Sequence, residues 1–159
     1  MVINKERSGP MKRLASFLLV ILITFPLLVS ANASTEVAPS TVISMIYAAL
    51  VNDNEIEYDV QYNADSNMYN ISVQRDGIAL AAVLAENDSS YLEQWYSMRD
   101  NLGSLCTSLL NLVKTITSED SAFVSISLMN DQNTDMVLLT ILNSVVVYDS
   151  VDGTDLLGA

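Results

Sequence analysis

The sequence predicts an α+β domain of two layers: an antiparallel sheet of five to six strands, with one short and one long helix on one face, in the order α-βββ-α-ββ(β). Three observations predict it. Residues 55–62, "EIEYDVQY", alternate apolar and polar without a fault, the period of a half-buried strand. From Tyr91 to Ile116, apolar residues recur at alternating steps of four and three, which draws one stripe along a long helix. Asp76-Gly77 lies between two apolar stretches and is the strongest short hairpin signal in the chain.

The elements follow in order. Met11-Lys12-Arg13 is a basic start, Leu14 to Val29 is almost wholly apolar, and Ala31-Asn32-Ala33 is a small-x-small cleavage site. These are the three parts of a secretory signal peptide, so residues 1–33 are expected to be removed and the product to begin at Ser34; Met11 also reads as a translation start. Residues 34–39 form a polar leader. In "STVISMIYAALV" the apolar positions Val42, Ile43, Ile46, Ala49 and Leu50 share a helix face, with Ser40 as its expected N-cap. The strand at 55–62 points Ile56, Tyr58, Val60 and Tyr62 one way. Glu55, Glu57, Asp59 and Gln61 point the other, and such an acid row discourages edge-to-edge pairing with like chains. "MYNISVQR" alternates again. A two-residue Asp76-Gly77 turn would then pair Val73 with Leu80 and Ile71 with Ala82, giving a third strand at 78–85.

The long helix, about 27 residues and roughly 40 Å, opens on Ser90-x-x-Glu93, a capping box, with Asp88 adding charge at its positive end. Its polar face is mostly Ser, Thr and Asn, without the flanking charges of a coiled coil, so it is expected to pack across the sheet. After it, "AFVSISLM" alternates, "DQNTD" (131–135) reads as a five-residue hairpin loop, and "MVLLTIL" is a strand. Asn143-Ser144 turns a hairpin into "VVVYD", or else one long bulged strand runs through. One domain is expected over 40–150, with a flexible tail at 151–159.

The chain has 7 Lys and Arg against 19 Asp and Glu, no His, and a formal net charge of −12. Removing the signal takes Lys5, Arg7, Lys12 and Arg13 with it and leaves only Arg75, Arg99 and Lys114 as basic residues. So acidic a surface repels phosphate backbones and anionic headgroups: no nucleic-acid partner is expected, and contact with a membrane only through an uncleaved signal segment. The lack of His removes the Ser-His-Asp and Cys-His mechanisms and the commonest general base. Cys106 is the single Cys, so no intrachain disulfide forms; on the apolar helix face it reads as a small buried hydrophobe.

Asp131-x-Asn133-x-Asp135 matches the opening of a calcium loop. The sixth position should be Gly and the twelfth Glu, but they are Met136 and Leu142, so Asp131, Asn133 and Asp135 are only weak metal candidates and no cofactor is expected. Glu55/Glu57/Asp59, Glu119/Asp120 and Asp149/Asp152/Asp155 offer paired carboxylates of the type a glycosidase needs across a cleft, with no sign of which would meet. Tyr58, Tyr62, Tyr69 and Trp95 could line a groove, but their inward positions read as core. Asn70-Ile71-Ser72 and Asn87-Asp88-Ser89 match the N-glycosylation pattern, the first of them in mid-strand.

A signal peptide, a small acidic α+β domain, Trp95 near the start of the long helix and a final "VVVYD" strand together resemble, in outline, the uncharacterised small secreted domains of Gram-positive bacteria. The resemblance implies secretion and the fold class and transfers no activity or residue. The expectation is therefore a secreted, non-enzymatic domain that binds another protein or itself through a strand edge, with Val145–Tyr148 the first candidate edge. The other expectations are a carboxylate-based hydrolase of extracellular glycans and an acidic protein that binds calcium weakly.

Overall fold

The structure is a computed structural model that describes residues 37–50 and 55–158. The signal segment and the first half of the leader (34–36) lie outside the described residues, as does the last residue of the tail. Helix α1 (Pro39–Ala49) is followed by strands β1 (Ile56–Asn63) and β2 (Met68–Arg75), helices α2 (Ile78–Asn87) and α3 (Ser89–Thr117), and strands β3 (Phe123–Asn130), β4 (Asn133–Leu142), β5 (Val145–Asp149) and β6 (Thr154–Asp155). The six strands lie side by side in sequence order. The class is α+β in two layers, with the helices on one sheet face.

That face is apolar because the ladders line up the inward residues. Val60 sits opposite Ile71, Ile71 opposite Ile126, and Ile126 opposite Ile141. Val73, Leu128 and Leu139 make the next row. Buried residues of all three helices close over these rows in one core: Val42 and Ile46 of α1, Ala81 and Ala85 of α2, and Trp95, Met98, Leu102, Leu105, Leu109 and Val113 of α3. Each large side chain buried in this way contributes roughly 1.5–3 kcal/mol. The heptad-like stripe on α3 therefore serves a sheet rather than a second helix. Cys106 lies in the core with its thiol against the Val124 carbonyl at 3.4 Å, and burial pushes its pKa up.

The third strand expected at 78–85 is instead helix α2, and the reason is local. Residues 78–85 read "IALAAVLA", rich in the best helix formers. The buried set Ile78, Ala81, Ala82 and Ala85 follows i, i+3, i+4, i+7. Asp76-Gly77 still turns the chain, but only Gly77 takes positive φ (83°), so the paired left-handed residues of a type I′ hairpin are not formed. One consequence runs through the sheet. Two helices now join β2 to β3, and these strands pair in parallel, the single parallel pair in an otherwise antiparallel sheet.

Other boundaries shift for similar reasons. Pro39 occupies the first turn of α1, where its missing N–H is harmless, so Ser40 falls inside the helix rather than at its cap. At α3 the cap is Asp88, whose carboxylate accepts from the backbone N–H and hydroxyl of Ser90; Ser90 is not the capping residue. The 131–135 loop is tighter than expected. Asn133 already pairs with Asn130 across the β3–β4 ladder, because the Asn130 side chain accepts from the N–H groups of Gln132 and Asn133 and closes the turn. Asn143 and Ser144 both take positive φ (47° and 75°), so a hairpin rather than a continuous strand joins β4 to β5. The stretch expected to be a flexible tail carries β6, which pairs Thr154 and Asp155 with Asp149 and Tyr148.

Candidate functional site

The chain has several groups of acidic residues, and the fold gives them different tasks. The 131–135 loop was the strongest chemical motif in the sequence. The Asp131 carboxylate accepts from the backbone N–H of Gly77 at 2.7 Å and of Ala79 at 2.8 Å. These donors stand at the start of α2, where the first N–H groups have no partner within the helix. Asp131 is thus a cap supplied from a distant loop, and its charge sits at the positive end of the helix dipole. Partial burial alone would raise its pKa; the Ala79 and Gly77 amides outweigh that and hold it below the usual carboxylate range. The Asn133 side chain accepts from the N–H of Asp135. So one member of the candidate metal set is committed to a helix and a second to its own turn. Among the described residues, no three of His, Cys, Asp and Glu are gathered where they could hold a metal ion.

A second group lies at the end of β5. Asp149 faces inward, opposite Leu139, at the end of an otherwise apolar row, and is fully buried. Its carboxylate accepts from Trp95 Nε1 at 3.1 Å, from an Arg99 guanidinium nitrogen at 3.1 Å and from the Val151 N–H at 3.0 Å. Arg99 also donates to Asp152 at 2.6 Å and lies over the Tyr96 ring at 4.4 Å. Burial works against the Arg99 cation, but the two carboxylates more than restore it and raise its pKa. Asp152 is held below its ordinary value, its own burial outweighed by donors from Thr154 and Arg99. Trp95 and Arg99 are one helical turn apart, so α3 offers two donors on one face. That i, i+4 pair, with an Asp closing an apolar strand, is the only local trace of this cluster in the sequence, and it does not by itself say that the donors and the acceptor meet. The Asp149–Asp152 pair is consequently a fastener that ties the C-terminal turn to the long helix.

The remaining carboxylates are spread out. Glu55 pairs with the buried Arg75 at 3.0 Å, and Glu119 accepts from the Asn67 side chain at 2.8 Å. Trp95 and Tyr69 are core, and Tyr62 stacks at a tilt on Tyr69 with centroids 4.7 Å apart. Asn70 is half-buried on β2, whereas Asn87 is exposed at the end of α2.

The third acidic group is on β1, the terminal strand of the sheet among the described residues. Glu57 and Asp59 point away from the helices and are exposed; their neighbours on β2 are Gln74 and Ser72. The Val60 N–H is turned away from β2 and donates to the Tyr47 hydroxyl of α1 at 3.0 Å. Tyr47 is 43% exposed. At the other end of the sheet, the outer side of β5 is occupied from Val147 onward: the Leu156 N–H donates to the Val147 carbonyl at 2.8 Å, and β6 pairs beyond it. Only Val145 and Val146 are left of the edge first considered at Val145–Tyr148. No helix of the described residues is long and apolar enough to cross a membrane. Comparison with protein-family models, with curated proteins and with solved structures finds no match.

Proposed function

We propose that the chain is an exported, non-enzymatic binding domain that takes an extended segment of a partner onto an edge of its sheet. The observation that carries this reading is the outer side of β1. Among the described residues an eight-residue strand ends the sheet, and an outward backbone N–H on it is met by one side-chain hydroxyl rather than by another strand. Such an edge is a template for a further strand, with main-chain hydrogen bonds giving affinity. The dispersal of the acids supports a binding role over a hydrolytic one: the buried Asp149 and the outer Asp152 both serve Arg99, and Glu57 and Asp59 lie exposed on β1.

Amide exchange tests the reading. Peptides selected from a random extended library against the purified protein should slow exchange at Val60 and along β1. Protection confined to α2 and α3, or a selection without binders, would overturn it. Export is tested apart from binding: the product should begin at Ser34, and an intact chain retained in the membrane would remove that half of the proposal.

A further inference from the structure

The geometry of β1 points to the chemistry of its partner: we infer that this edge takes a segment in which basic and apolar residues alternate, an inference that rests on the strand-addition reading. In an antiparallel ladder, the backbone groups that face away from the paired strand belong to every second residue. The outward N–H of Val60 sets that phase. A strand added here would place alternate side chains on the two sheet faces, in register with those of β1.

On one face its side chains would meet Glu57 and Asp59. Among the described residues no ion pair reaches either of them, whereas Arg75 and Arg99 are already engaged with Glu55, Asp149 and Asp152. Asp59 has one side-chain partner, the Gln61 amide at 2.7 Å, which is neutral. On the other face an added strand would run beside the half-buried Ile56 and Tyr62 and the exposed ring of Tyr47, a strip an apolar side chain would cover. A second copy of the chain fits badly, because its own β1 would set carboxylates against carboxylates, and like charges placed opposite each other destabilise a ladder. The acid row thus selects against self and for a basic strand. Tyr47 is a placeholder at Val60, where a partner's carbonyl would sit.

The test is a titration of the purified, isotope-labelled protein with three capped octapeptides, alternating Lys and Val, Ser and Val, or Glu and Val, read by amide shifts and exchange. The Lys peptide should bind tightest and protect Val60. A double variant, Glu57→Gln with Asp59→Asn, should weaken it roughly three- to tenfold. Tyr47→Phe should strengthen it about two- to fivefold, since the Val60 N–H loses its placeholder. A charge-matched control on the exposed side of α3, Glu93→Gln with Asp100→Asn, should leave affinity unchanged. Equal weakening by both double variants would overturn the inference, because diffuse charge would then explain the binding. Equal protection of β1 by the Ser peptide would overturn the basic partner but leave strand addition standing. Failure of all three peptides to touch β1, while library peptides protect it, would overturn the alternating pattern; failure of both sets would remove the proposed function itself.

Discussion

Asp149 and Asp59 are the same residue type on β5 and β1, in opposite halves of one sheet, and they could hardly be used more differently. Asp149 is fully buried and holds Trp95, Arg99 and the Val151 N–H at once. Asp59 is exposed, and its one side-chain partner is a neighbouring Gln. A buried carboxylate persists only where its lost hydration is replaced by donors. An exposed one on a strand face adds little to stability. The contrast separates acids that assemble the fold from acids the fold does not use.

Substitutions can break or sharpen that contrast. The largest effect is expected at Asp149. Asp149→Ala leaves the indole N–H without an acceptor and Arg99 with Asp152 alone, and should lower unfolding free energy by about 3 kcal/mol in urea titrations. A loss under 1 kcal/mol would mean the cluster is not a fastener. Asp131→Ala comes next, at about 1–2 kcal/mol, because α2 loses a cap bound through two N–H groups; fraying should appear as faster exchange at Ala79. Opposite in sign and smaller, Ser144→Gly should stabilise by about 0.5–1 kcal/mol, since Ser144 holds φ at 75° and Gly does so without strain. Least of all, Glu57→Gln and Asp59→Asn should each change stability by less than about 0.5 kcal/mol.

Acid titration sharpens the same division. Asp131 and Asp152 have folded pKa values below their unfolded ones. The folded state therefore binds fewer protons than the unfolded between those values. Their contribution is complete above the unfolded carboxylate value, about 3.9, and is lost as pH falls through the folded values. The urea midpoint should fall as pH drops below about 4, and Asp131→Asn should reduce that fall. An unchanged profile in the variant would show that the cap does not carry it.

The strands at β1, β2 and β3 were legible because period-two alternation on a half-buried sheet is written in side chains alone; β4 was read from its apolar run, and β5 was left open between a hairpin strand and one long bulged strand. The stripe of α3 was legible too. Residues 78–85 were not, since "IALAAVLA" is apolar enough for a buried strand and also offers the small residues a packed helix wants. Asp76-Gly77 tipped the reading toward a hairpin, while the deciding partner, Asp131, lies across the fold and leaves no local mark. The Asp149 cluster was hidden in the same way. Its donors sit on α3 and its acceptor at the end of β5, and only the closed sheet brings them together.

The parallel joint between β2 and β3 has a kinetic consequence. The β1–β2 hairpin and the β3–β4–β5 ribbon can each form from neighbours in the chain. Their union cannot, because Tyr69 meets Val124 only after both intervening helices have been threaded between the halves. Loop closure of that span comes before any reward from the contacts it makes. The seam is where assembly should lag. Two half-formed ribbons, each with an edge still bare, are the species a newly made chain would present first.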